Sequence, residues 1–146
     1  MEKNINFYDK IIGRFSDVQV AVILGSLFVF CSLVGNIAAA KVTYFAGMVM
    51  DAGLIYSLTF IIRDLIHKNL GKQAALTTIW LSGILNLVAV LYFQLVIAMP
   101  AEESWLQAGG QSAVEFIFGL QMRIVIASIL VQLIAETVDT QVYHKW

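Results

Sequence analysis

The sequence predicts an all-α protein that crosses a membrane as a polytopic bundle with four transmembrane helices. Three observations lead there. The 146 residues are 60% hydrophobic and only 13% charged, whereas soluble domains are near half apolar and a quarter charged. Mean hydropathy is +0.82. Apolar runs close to membrane length alternate with short polar segments, and the few polar residues inside those runs recur at helical steps. Residues 1–146 therefore read as one membrane domain. A net charge of -1 leaves no nucleic-acid footprint. The single cysteine, Cys31, lies in an apolar run, where it has no intrachain disulfide partner and none of the neighbours of a metal site. The chain lacks a Walker-type phosphate loop, an H-E-x-x-H and a Gly-x-Ser-x-Gly, so neither an enzyme nor a cofactor is expected. Any ATP hydrolysis behind its action would belong to another chain.

Residues Met1 to Phe15 are polar and basic, and Ser16 or Asp17 is placed to cap the helix that follows. Val18 to Ala40 is the first span, an apolar run that meets the length of about 20 residues a bilayer needs. It also exceeds the roughly 7–15 residues of a signal-peptide core, which sets aside Ala38-Ala39-Ala40 as a cleavage site. Lys41 to Met50 is a short loop with Val42 and Tyr44 in alternation and a turn at Gly47. Asp51 is expected to cap the second span, from Ala52 to about His67 or Leu70, which is short for a membrane helix and ends in charge. Gly71-Lys72 is a tight turn, and Ala74 to Met99 is the third span, ended by Pro100 and carrying Asn86 and Gln94. Ser112-x-x-Glu115 matches a capping box. It opens either a short interfacial helix, Ala113 to Gly119, or one long helix whose apolar part runs from Ile124 to about Val138.

Lysine and arginine set the orientation. Lys3, Lys10 and Arg14 precede the first span, Arg63, Lys68 and Lys72 surround the second turn, and Lys145 ends the chain. The first connection holds only Lys41 and the third holds none. Both termini are thus expected on the cytoplasmic side of the cell membrane, with Lys41 and Arg123 toward the outside.

Several motifs recur in a fixed order: Asn36-x-x-x-x-Lys41, Gly53-Leu54-x-Tyr56, Thr59-Phe60-x-x-x-Asp64-Leu65-Ile66 and Gly71-Lys72. Arg123-Ile124-x-x-Ala127-Ser128 and Glu136-x-x-Asp139-Thr140-x-Val142-Tyr143 follow. Together they resemble the vitamin-uptake-like family of queuosine-precursor transporters. The resemblance implies a membrane protein that imports 7-deazaguanine bases such as preQ0, preQ1 or queuine. Members of that family have about six spans. This chain would then be a piece of a longer protein, or a short member that pairs with itself or with a second membrane subunit. It departs from the family pattern at Lys68, where a glutamate is common, and at Ser57, where a proline is common.

Ten residues are candidates for the substrate site. Tyr56, Phe60 and Asp64 share one face of the second helix, and Asp64 stands at the resembled family's aspartate. Ser128, Gln132, Glu136 and Asp139 form a polar stripe on the fourth helix, which must face protein or water. Arg123 lies roughly 140° from Ser128 around that helix. Asn36 and Asn86 complete the set, as polar amides inside apolar runs. Interhelical hydrogen bonding alone accounts for Ser128 and Gln132, and pairing with a basic neighbour accounts for Asp64. Two carboxylates one turn apart are poorer glue, so Glu136 and Asp139 favour a functional role. The chemistry suits a purine-like base. One carboxylate accepts two adjacent donors of a guanine edge, an amide or guanidinium donates to its carbonyl, and an aromatic ring stacks on its plane. Two alternatives remain open. A substrate-binding subunit of an ATP-driven vitamin-uptake complex would dock through an Ala-x-x-x-Ala stripe on the cytoplasmic half of the first helix, and that half contains only Ala21. The other alternative is a membrane scaffold that transports nothing.

A single substitution separates recognition from packing on the fourth helix. If Glu136 receives the guanine edge, Glu136→Gln turns an acceptor into a donor facing a donor. That costs on the order of 2–4 kcal/mol, a fall in affinity of roughly 30- to 1000-fold, with the melting temperature almost unchanged. Affinity and melting temperature measured on one preparation decide the matter, and intact affinity for every candidate base removes Glu136 as the acceptor.

Overall fold

A computed structural model of the protein describes residues 15–145, with all side chains in that range except those at 45, 132, 133, 136, 137, 139–141 and 143–145. Five α-helices and one β-hairpin follow in order: α1 (Asp17–Ala38), β1 (Val42–Phe45), β2 (Met48–Asp51), a 3-10 turn (Leu54–Ser57), α2 (Leu58–Leu70), α3 (Lys72–Ala98), α4 (Glu103–Gln107) and α5 (Gly110–Lys145).

Ser16 starts α1 through a full capping box: its hydroxyl accepts from the Gln19 N–H while the Gln19 side chain accepts from the Ser16 N–H. The connection read as a loop is a β-hairpin, with Val42 opposite Asp51 and Phe45 opposite Met48. Its two turn residues, Ala46 and Gly47, have φ of 51° and 84°. Positive φ at both positions is the turn that matches strand twist, and Ala-Gly supports it less visibly than Asn-Gly would. Asp51 ends β2 and does not cap a helix. Its Oδ1 accepts from the Gly53 N–H at 2.8 Å, holding the bend that leads into the 3-10 turn. The second span is therefore built in two pieces, the 3-10 turn and then the 13 residues of α2. Gly71, at φ 86°, alone links α2 to α3.

The fourth span takes the longer of its two expected forms. It is one helix of 36 residues that already begins at Gly110, so Ser112 and Glu115 lie inside it and form no capping box. Gln111 instead donates to the Ile97 carbonyl at 3.2 Å and to Glu115 at 2.8 Å, tying the start of α5 to the end of α3. On the short α4, the Ser104 hydroxyl and the backbone N–H groups of Ser104 and Trp105 donate to the Glu102 carboxylate and hold it below the ordinary carboxylate range.

Among the described residues, three helices are long and apolar enough to cross a membrane: Asp17–Ala38, Lys72–Ala98 and Gly110–Val131. At roughly 20 Å, α2 is shorter than the hydrocarbon thickness of about 30 Å. The packing is that of a protein dissolved in lipid. Phe30, Trp80, Leu85, Leu91, Phe116 and Leu130 face outward. Among the described residues, buried polar side chains (Ser32, Asn36, Thr59, Arg63, Ser82, Asn86, Gln121) are nearly as numerous as buried hydrophobic ones. The apolar core lies where α1, α2 and α3 meet, around Phe28, Cys31, Ile62, Ile66, Ala75 and Ile79. The longest shared interface is between α3 and α5, with Phe93 stacked on Phe118 at 4.3 Å.

Two glycines let the start of the second span press against the end of α1. A Cβ on Gly53 would sit 2.8 Å from the Gly35 carbonyl oxygen and 2.9 Å from Asp51 Oδ1, and a Cβ on Gly35 would sit 2.9 Å from Tyr56 Cβ. Because backbone cannot swing aside, Gly53→Ala is expected to destabilise the fold by about 1–3 kcal/mol. Gly25→Ala on the same bundle, with open space around its new methyl, should leave the melting temperature in detergent unchanged. Equal melting temperatures for the two variants would contradict the close approach.

Candidate functional site

A cavity of about 370 Å³ opens where α1 ends and the second span begins. That is within the roughly 300–1,000 Å³ of small-molecule sites. Gly35, Asn36 and Ala39 line it from α1, and Met50 and Asp51 from the hairpin. Gly53, Leu54, Tyr56, Ser57 and Phe60 line it from the second span, and Ser128 from α5. Four residues chosen from the sequence, Asn36, Tyr56, Phe60 and Ser128, thus meet at one place.

Each side is positioned by its local structure. The 3-10 turn and the first turn of α2 place Tyr56 and Phe60 edge to face, with ring centroids 6.2 Å apart and planes at 80°. Thr59 is fully buried, and its hydroxyl donates to the Tyr56 carbonyl at 2.7 Å, which fixes the junction between the turn and the helix. Asp51 brings a carboxylate to the cavity, the only one among the described lining residues. One of its oxygens is used by the Gly53 N–H.

Behind the cavity lies a buried polar network. Asn36 Nδ2 donates to Asn86 Oδ1 at 2.8 Å. Asn86 Nδ2 donates in turn to Ser32 Oγ at 3.0 Å and to the Ser82 carbonyl at 2.9 Å. Asn86 is 1% exposed and does not line the cavity, so it stands behind Asn36.

The remaining candidates lie elsewhere. Asp64 is half exposed and bound to its neighbour, with Arg63 Nη2 2.9 Å and Nε 3.1 Å from Asp64 Oδ1. Arg63 itself is buried, and its guanidinium lies 5.7 Å from the Phe60 ring centroid, joining this pair to the aromatic wall from outside the cavity. Arg123 is exposed on α5. The side chains of Gln132, Glu136 and Asp139 lie outside the described residues. Along the backbone of α5, Glu136 is roughly 12 Å beyond Ser128.

Two residues were not selected from the sequence. Asp51 was read as a cap because an acidic residue ahead of an apolar run is the commonest helix start. Gln121 was passed over, although it lies two turns before Ser128 on the same face of the helix. It is 1% exposed, and its Nε2 donates to the carbonyls of Asn36 at 3.0 Å and Ile37 at 3.1 Å. The last carbonyls of a helix have no partner within it, so α5 satisfies the end of α1. The Oε1 of Gln121 has no hydrogen-bond partner among the described residues.

A bundle that turns its apolar side chains outward and keeps amides and hydroxyls inside is an integral membrane protein. The chain belongs to the putative vitamin uptake transporter family, whose profile matches residues 50–146. The match takes in the end of β2, all of α2 to α5, and the cavity residues from Met50 onward; Asn36 lies ahead of it. No curated protein and no solved structure matches the chain.

The clasp between α5 and α1 generates a stability test. Gln121→Leu keeps the volume but leaves the Asn36 carbonyl without its donor, at a cost on the order of 1–3 kcal/mol. Gln121→Glu, an acceptor facing two acceptors, should cost more. Thermal unfolding should rank native above Leu above Glu, and coincident melting curves would show that the clasp contributes nothing.

Proposed function

We propose that this protein imports queuosine precursors, the 7-deazaguanine bases, and that the cavity between α1 and the second span is where the base binds. The observation that carries the reading is the meeting in one cavity of an aromatic pair, an amide and a carboxylate, in a chain of the vitamin-uptake family. A flat base needs a ring to lie against, which Tyr56 and Phe60 supply. Its guanine edge carries adjacent N–H donors, and Asp51 is the acceptor placed to meet them.

In this reading Asp51 takes the role that the sequence alone assigned to Glu136. The test follows from the two oxygens of Asp51. Asp51→Asn keeps an oxygen for the Gly53 N–H, so the bend survives. The other oxygen becomes an NH₂ group that opposes the donors of the base. Affinity for 7-deazaguanine bases should fall on the order of 30-fold or more, with little change in melting temperature. Assayed beside Glu136→Gln by equilibrium binding to purified protein, it identifies which carboxylate reads the base. Intact affinity in both variants would overturn the proposal.

A further inference from the structure

Which end of its amide Asn36 shows to the cavity is decided two helices' contacts away. The Ser82 carbonyl can only accept, so the Asn86 amide must turn its nitrogen toward it, and the 2.9 Å contact agrees. That leaves Asn86 Oδ1 facing Asn36. Two amide oxygens do not bond, so Asn36 must offer its nitrogen, which it does at 2.8 Å. Asn36 Oδ1 is then the end left over. No hydrogen bond among the described residues uses it, and Asn36 is a cavity-lining residue. The backbone at Asn36 is held as well, its carbonyl accepting from Gln121. Asp51 lines the same cavity with a carboxylate of which, among the described residues, one oxygen is used.

We infer that the cavity is lined by acceptors, Asn36 Oδ1 and the second oxygen of Asp51, and selects heterocycles that present N–H donors at two places. Asn86 is the positioning residue that fixes the polarity of Asn36 without touching the ligand. This rests on the cavity being the base-binding site, and it deepens that reading. It also reverses the donor role expected for Asn36. A carbonyl turned toward Asn36 meets another oxygen, whereas an N–H turned toward it completes a chain of hydrogen bonds that starts at the Ser82 backbone. A ligand that leaves either acceptor facing an oxygen forfeits a hydrogen bond that the parent base makes.

The experiment uses the whole chain in detergent, with 7-deazaguanine and analogues that each lack one N–H donor, among them 7-deazahypoxanthine, which lacks the amino group. In the native protein, removing a donor that is read should weaken binding on the order of tenfold or more. In Asn86→Leu the Asn36 amide is free to turn over. One of those penalties should shrink to less than about threefold, while the penalties for donors facing Asp51 persist. Where Asn86→Leu does not fold, Asn86→Ser, which still donates to the Ser82 carbonyl, takes its place. Native protein that binds every analogue within about threefold of the parent overturns the inference without any variant. Penalties that all survive the change at Asn86 overturn its positioning role. If no probe binds at all, the base-binding reading of the cavity fails, and the inference falls with it.

Discussion

Everything around the cavity depends on how one amide is satisfied inside a bundle that has no water to offer it. Asn36 sits near the end of α1 with its side chain bonded to Asn86 of α3 and its backbone carbonyl bonded to Gln121 of α5. In lipid, an unmet polar group costs several kcal/mol, and hydrocarbon neither drives helices together nor holds them in register. Directional bonds must therefore do part of the work that apolar burial does in water. Three helices are set at one level by a single residue, and that level is where the cavity forms. The Ser32, Ser82 and Asn86 groups add no apolar area to speak of. What they add is a register, since sliding α3 by one residue along α1 would leave two buried amides without partners.

The cavity itself follows from a mismatch in length. Asn36 lies at the end of α1, but Asn86 lies near the middle of α3, with roughly 18 Å of helix still to run to Ala98. The second span also begins at this level, because Gly35 and Gly53 bring its first turn against the end of α1. Below the step, four helices pack. Above it, α3 and α5 continue together. A shorter approach between α1 and the second span would close the gap. A bulkier one, with side chains at both glycines, would splay Tyr56 and Phe60 away from Ser128.

The helices were legible because apolar runs of membrane length leave few other solutions, and their ends were marked by Ser16, Gly71 and Pro100. The aromatic pair, Asn36 and Ser128 were legible for a related reason: polar or amphipathic residues at helical steps inside apolar runs stand out, and these four line one cavity. What escaped was information that one strand of sequence does not hold. The hairpin was hidden because its strands are four residues each and its turn is Ala-Gly. Asp51 fits a cap and a bend equally well until the chain on either side is seen to fold back. The division of labour between Asn36 and Asn86 was out of reach, because two similar residues in separate runs differ only in which one has the Ser82 carbonyl behind it. Gln121 was within reach, since extending the Ser128 stripe back two turns lands on it.

The hairpin bears on how a solute reaches the site. It emerges at the step, carries Met50 and Asp51 on the cavity wall, and leaves Val42, Tyr44, Met48 and Val49 exposed. Two strands paired only with each other have two unpaired edges, and hydrocarbon does not tolerate open edges. The space beside the hairpin must therefore hold water or protein. An aqueous or protein-lined approach would then lie on the hairpin side of the cavity, and the apolar core of Phe28, Cys31 and Ile62 fills the meeting of α1, α2 and α3. A path through the molecule would have to part α1 from α2 at that core or use the face of α5 beyond Ser128. Along the backbone of α5, Glu136 and Asp139 follow Ser128 by two to three turns.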